Sequence, residues 1–297
     1  MTRDTRADAA VGAALDVARG LEVAARAIVE RWRSGRHTAV RAGEADEFYE
    51  FRRASPGDPA SRVDWRASAR REAPVIRMRR RQASMTVAVV VDASASMGFR
   101  ALEPMRDTRS KLDEARVLAA AVVAAALGQG DRAGLVVGDA PPALTLTGRS
   151  GLASACAALA RLTPAGDAAL SASLGEPLGS VSAADLVVAI GDALEPRERL
   201  AAAVSAAARR RGGPRDMVLI RVVAPDEIAP PRVDGVLVDP ESGGRAVVRD
   251  PASVAEILAA HGRAVRRVFS GPGRSSAVHV VGEDPAQTLR RALGARR

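Results

Sequence analysis

The sequence predicts an α/β fold, a doubly wound, mainly parallel sheet flanked by helices, and three observations predict it. Five short continuous apolar runs, TVAVVV at 86–91, AGLVV at 133–137, DLVVAI at 185–190, MVLIRVV at 217–223 and AVHVV at 277–281, read as strands. Unbroken runs indicate strands buried on both faces, since a strand with one wet face alternates polar and apolar residues. Helix-length segments lie between them at Lys111–Leu127, Ser150–Leu162, Arg197–Arg211, Val254–Phe269 and Pro285–Leu293. Such strand–helix alternation builds parallel sheets whose crossovers cover both faces. The 297 residues, 47% hydrophobic and 27% charged, suffice for one large domain or two small ones.

Ahead of this region the pattern differs, which sets residues 1–85 apart from 86–297. Within 13–32, Leu15, Ala18, Leu21, Ala25, Ile28, Val29 and Trp32 recur at three- and four-residue spacings, and Gly35 follows as a stop. An amphipathic helix is expected there. From Gly43 to Arg81 the sequence turns irregular and gathers Phe48, Tyr49, Phe51 and Trp65 around the turn SPGDP at 55–59, suggesting a compact non-helical segment. Later, VDGVLVDPESGGRAVVRD at 233–250 places two apolar runs about a PESGG turn, the pattern of a β-hairpin insertion.

The net charge is +9, and Lys111 is the only lysine among 44 basic residues. Residues 1–85 hold 18 arginines against 12 acids, and eight arginines face two acids between Arg62 and Arg81. That segment suits an acidic partner or a nucleic-acid backbone, with a solvated charged face as the plain alternative. The longest apolar run, Val117 to Leu127, is far short of the ~20 residues that a membrane-spanning helix needs. The start MTRDTRADAA lacks a hydrophobic signal core, so a cytoplasmic location is expected. A lone Cys156 in ASACAAL excludes cysteine-based zinc sites and reads as a small buried apolar side chain.

In open α/β sheets ligands bind beyond the carboxyl ends of the strands. The first run ends in Asp92-Ala93-Ser94-Ala95-Ser96, a D-x-S-x-S loop, and the run at 185–190 ends in Gly191-Asp192. One carboxylate and two hydroxyls on a tight loop, faced by a second carboxylate, are hard oxygen donors that suit Mg²⁺ or Mn²⁺. With hydroxyls replacing further carboxylates, such an ion stays poorly neutralised and open to an acidic group from a partner. The plain alternative is that Ser94 and Ser96 cap the following segment and Asp92 ends a strand.

The chain resembles the domain-of-unknown-function 58 family over residues 15–290. The resemblance is carried by Pro56-Gly57-Asp58, Val63-Asp64-Trp65-Arg66, Ala69-Arg70, the Asp92-x-Ser94-x-Ser96 loop, and Gly130-Asp131-Arg132-Ala133-Gly134-Leu135. It implies a von Willebrand factor A-like domain with a metal-ion-dependent adhesion site, a binding module and not an enzyme. It also implies partnership with a MoxR-type AAA+ ATPase, as an adaptor or co-chaperone acting on unknown clients. Under the resemblance Asp92, Ser94 and Ser96 match the first metal loop, and Asp192 the acid of the last. The middle loop departs from the pattern: in Pro164-Ala165-Gly166-Asp167, Gly166 stands where a hydroxyl is expected, leaving Thr163 or Asp167 as substitutes or metal binding lost. Asp58, Asp64, Trp65, Arg66 and Arg70 form the candidate partner surface, arginine pairing with acidic groups. A structural role is favoured for them, with Trp65 buried as a core anchor over an Asp64–Arg70 ion pair.

His37, His261 and His279 show no metal-ligand spacing, and His261 continues the stripe Val254, Ile257, Leu258, Val265 as a core residue. Ser94 lacks the G-x-S-x-G elbow of a serine hydrolase, and there is no phosphate-binding G-x-x-x-x-G-K-[ST] loop. A basic nucleic-acid-binding protein is the alternative function, although no recognition motif supports it. A Mg²⁺-dependent hydrolase ranks last, for want of a general base beyond the candidate ligands.

Overall fold

The computed structural model describes residues 23, 48–55, 58–71, 73–79, 85–100, 109–137, 144–167, 170–175, 184–210, 213–230, 235–248 and 250–294. They fall into two compact units, one within His37–Ser84 and one that takes in Val23 and the residues from Met85 onward. The helix expected over 13–32, except Val23, lies outside the described residues, as do His37, Pro56, Gly57, Arg80 and Arg81.

In the smaller unit, β1 (Phe48–Arg53) pairs antiparallel with β2 (Val75–Arg79), and helix α1 (Trp65–Arg71) lies between them in sequence. The expectation of a non-helical segment is therefore corrected. Helix α1 begins where Asp64 Oδ1 accepts the Ala67 N–H at 3.0 Å, an N-cap that the neighbouring turn residues hide in the sequence. Ser68, the buried residue of α1, donates to Asp64 O at 2.7 Å and accepts from Val75 N at 2.9 Å, tying helix to strand. The Arg71 guanidinium lies 4.4 Å from the Phe51 ring centre.

The larger unit holds a six-stranded sheet in the order β10-β7-β6-β3-β4-β5. Its strands are β3 (Thr86–Val91), β4 (Arg132–Val137), β5 (Leu144–Leu146), β6 (Leu186–Gly191), β7 (Asp216–Val223) and β10 (Arg274–Val280). All neighbours are parallel except β5, which runs antiparallel to β4 at one edge. The five apolar runs are the five parallel strands. The edge strand β5 escaped the sequence reading because it is three residues long and only Leu146 is buried.

The strand pleat sends alternate side chains to two cores. Val87, Val89 and Val91 pack with α2 (Lys111–Leu127), α3 (Gly148–Ala160) and α8 (Pro285–Leu293) on one face. Ala88 and Val90 pack on the other with α4 (Leu170–Gly175), α5 (Arg197–Arg209) and α7 (Pro251–Val268). Helices on both faces of a mostly parallel sheet make this a doubly wound α/β fold. Cys156 is buried in α3 among the first set.

Helix α2 is covered on most sides, which its small residues allow, and Ser110 starts it with a reciprocal cap to Asp113. A four-residue helix α6 (Pro225–Ile228) follows β7 directly. Strands β8 (Gly235–Val238) and β9 (Arg245–Val248) pair antiparallel as a hairpin outside the main sheet. Among the described residues no helix is long and apolar enough to cross a membrane.

Candidate functional site

The two strands carrying the acidic loops, β3 and β6, are parallel neighbours at the centre of the sheet. Chain order reverses between them: β3 leads to β4 on one side and β6 to β7 on the other. Loops leaving such a switch point diverge and open a crevice. Asp92 and Asp192 stand at that switch point, each the residue immediately after its strand. The Asp92 N–H donates to Ile190 O at 2.9 Å, so the two strand ends stay together up to the loops.

Asp92, Ser94, Ser96 and Asp192 are all buried. Asp92 Oδ1 accepts the Ser94 N–H at 2.9 Å, and the Ser94 and Ser96 hydroxyls are 3.0 Å apart. Burial, and after it the facing Asp192 carboxylate, pushes the Asp92 carboxyl up to about 7 against the Ser94 hydrogen bonds that favour its charge. Gly191 makes this approach possible, since a Cβ there would lie 2.5 Å from Asp92 Cβ.

The middle loop is fastened to the first by two backbone bonds, Ala165 N–H to Ala93 O at 2.9 Å and Ala95 N–H to Gly166 O at 3.0 Å. Gly166 has φ +68°, a left-handed conformation that favours glycine over the hydroxyl residue expected there. Thr163 and Asp167 are exposed, whereas the four residues of the first and last loops are buried.

Asp192 has an occupant that its sequence position did not foretell. The Lys111 ammonium, 1% exposed, donates to Asp192 Oδ2 at 2.7 Å and to Glu227 Oε1 at 2.8 Å. Burial opposes the charge on Lys111, yet Asp192 and Glu227 outweigh it and hold its pKa above the ordinary lysine value. Leu194 N–H donates to Asp192 Oδ1 at 3.2 Å, and Arg221 Nε to Asp192 O at 3.0 Å. Ala193, next in the chain, has φ 52°, unusual for a residue with a Cβ. Its carbonyl bonds His261 Nε2 at 2.7 Å, so that nitrogen carries the proton. His261 is thus half-buried and holds the Asp192 loop, a correction to its reading as a core side chain.

Glu195 adds a third carboxylate nearby. Ser171 N–H donates to its Oε1 at 2.8 Å, while Oε2 is buried with no hydrogen-bond partner among the described residues. Burial raises its pKa, and Asp192 adds to the rise against the pull of Ser171 and Arg199. Lys111, Glu227, Glu195 and Arg221 were all missed as site residues. Only Lys111 carried a signal, as the single lysine in an arginine-rich chain.

Asp92, Ser94 and Ser96 offer oxygen donors of the kind a small divalent ion takes. Among the described residues, however, no three His, Cys, Asp or Glu side chains converge to hold a metal, and Asp192 is already paired with a cation. A metal bound at the first loop would need further oxygens from water or from another molecule.

The five candidate partner-surface residues lie on the smaller unit. Trp65 is 63% exposed, which overturns its reading as a core anchor. It is the first residue of α1. Arg66 and Arg70 are exposed on the same helix, and Asp64 caps it in place of the expected ion pair with Arg70. Asp58 closes its own turn, accepting Ser55 N–H at 2.7 Å and Arg52 Nη2 at 2.9 Å.

Residues 50–267 match the family described as Protein of unknown function DUF58, well over half of the chain. The chain belongs to the DUF58 family. Two mycobacterial proteins are similar to this DUF58 chain: the uncharacterised protein Mb1516 of Mycobacterium bovis and the uncharacterised protein Rv1480 of Mycobacterium tuberculosis. Each is 29% identical over 269 residues, which span 86% of this chain and 81% of the relative.

Proposed function

We propose that this DUF58 protein is a non-enzymatic binding module of the von Willebrand factor A-like type, which engages a partner through a divalent ion held at the Asp92-Ser94-Ser96 loop. Its partner in this reading is a MoxR-type AAA+ ATPase, and its work is that of an adaptor in complex assembly or maturation in the cytoplasm. One observation carries the reading: the D-x-S-x-S loop and a second acidic loop stand together at the switch point of a doubly wound sheet. Two hydroxyls and one carboxylate leave a divalent ion short of negative charge, and an acidic side chain from a partner completes its shell. Mg²⁺ or Mn²⁺ suits these donors.

The test is calorimetric titration of Mg²⁺ and Mn²⁺ into chelator-treated protein and its Asp92→Ala variant, followed by capture of the ATPase with and without the ion. Saturable binding lost in the variant, together with ion-dependent capture, is the expected result. Capture that persists without ion and in Asp92→Ala moves recognition to another surface, with Trp65, Arg66 and Arg70 first in line.

A further inference from the structure

The Asp192 carboxylate is paired with a lysine whose placement has the features of a built site. Lys111 is the first residue of α2, and its ammonium is buried where the candidate metal loops meet α6. It makes two charge-assisted bonds, to Asp192 Oδ2 at 2.7 Å and to Glu227 Oε1 at 2.8 Å. The Phe99 ring, at the end of the first metal loop, lies 5.8 Å from the ammonium, and Phe99 O accepts the Lys111 N–H at 3.1 Å. Glu227 is itself fixed, because its Oε2 accepts the Ala224 N–H at 2.7 Å.

We propose that Lys111 is an internal counter-cation that withholds Asp192 from a divalent ion at the Asp92-Ser94-Ser96 loop. This inference rests on the metal-loop reading and deepens it. The same carboxylate oxygen cannot give its charge fully to an ammonium at 2.7 Å and to a divalent ion. An ion that takes Asp192 Oδ2 as a ligand therefore displaces the ammonium toward Glu227, the second acceptor already within reach. Glu227 acts as the parking place for the ammonium, and affinity for free metal is set by this competition.

Two substitutions push the competition in opposite directions, which a merely structural role for Lys111 does not do. Lys111→Met frees Asp192 and is expected to bind Mn²⁺ at least about tenfold more tightly than the native protein, the worth of one charge-assisted hydrogen bond. Glu227→Gln leaves Lys111 with Asp192 as its one carboxylate and is expected to bind Mn²⁺ no more tightly than the native protein. Titration calorimetry of Mn²⁺ into chelator-treated protein reads both, with circular dichroism melts establishing that each variant is folded. Should Lys111→Met fail to fold because two carboxylates lose their cation, the Lys111→Met/Glu227→Gln double variant carries the same comparison and the same expected tightening.

Equal or weaker Mn²⁺ binding in the folded lysine variant overturns the proposal, as does tighter binding in Glu227→Gln. The outcomes separate this inference from the reading beneath it. Binding by the native protein with no gain in Lys111→Met removes the counter-cation and leaves the metal site standing. Binding only after Lys111 is removed supports the counter-cation and ends the metal-dependent reading of the native site. Binding by neither overturns both.

Discussion

Gly191 and Asp92 sit so close across the β3–β6 pair that a Cβ at position 191 would fall 2.5 Å from Asp92 Cβ and 2.8 Å from Asp92 Oδ2. Both obstacles are on a buried side chain at a strand end, with no flexible tip to swing aside. Gly191→Ala is therefore expected to push Asp92 out of its place and to cost about 1–3 kcal/mol of stability, the usual range for overpacking. Denaturant unfolding measures the cost. An unchanged midpoint would mean that the strand ends separate freely, against the Asp92 N–H to Ile190 O bond that joins them.

The start of α2 should be sensitive to acid. Burial raises the Asp113 carboxyl, but the Ser110 backbone and hydroxyl bonds, with Arg116 and Arg100, outweigh it and hold the pKa below the ordinary value. For a carboxyl depressed in the folded state, the stabilisation is present above its unfolded pKa and is lost as pH falls through the folded one. Ser110→Ala is expected to cost about 1 kcal/mol at neutral pH, as lost N-caps do. It should also flatten the loss of stability below pH ~4, near the reference carboxyl value. Urea melts from pH 3 to 7 on both proteins measure this, and parallel curves would show that the cap does not set the acid response.

The fold was legible because β3, β4, β6 and β7 are largely buried on both faces and so announce themselves as apolar runs, whereas the edge strand β10 departs from the expectation of two buried faces, with Val278 46% exposed. Helices α2 and α8 matched their sequence bounds because a capping residue and a following glycine mark their ends. What escaped had weaker local signals. Strand β5 is too short to show a period, and α1 is hidden among turn residues and arginines. In the site, Asp92, Ser94, Ser96 and Asp192 follow directly from where strands end. Glu195 follows Asp192 in the same loop, whereas Lys111 and Glu227 reach the place from helices remote in sequence, and only the folded chain brings them there.

A second buried polar cluster lies deeper in the fold and ties α2 to the C-terminal end of the chain. The His279 ring bonds Glu114 Oε2 at 3.0 Å through Nε2 and Thr288 Oγ1 at 2.7 Å through Nδ1, and all three side chains are fully buried. Glu114 Oε1 also accepts the Gly282 N–H at 3.2 Å. Thr288→Val removes one hydroxyl and is expected to cost about 1 kcal/mol. His279→Ala leaves Glu114 short of a partner and opens a cavity, and a loss of roughly 3 kcal/mol or more is expected. A double-mutant cycle on Thr288 and His279 should be non-additive, since both changes break one bond. Strict additivity in unfolding experiments would deny that the cluster acts as a unit.

Trp65 separates a surface role from a core role by stability alone. At 63% exposure its ring makes little of the contact that a buried tryptophan makes. Trp65→Ala is therefore expected to shift stability by no more than about 0.5 kcal/mol, the range of surface substitutions, whereas truncating a core tryptophan costs about 3–5 kcal/mol. The helix under it should persist, because its N-cap is supplied by Asp64 and its attachment by Ser68. Exposed tryptophan flanked by arginine is the composition that binding hot spots favour. Where capture of the ATPase persists without ion and in Asp92→Ala, the Trp65→Ala variant is expected to lose it while keeping its melting temperature. Loss of capture accompanied by a large fall in melting temperature would return Trp65 to a structural role.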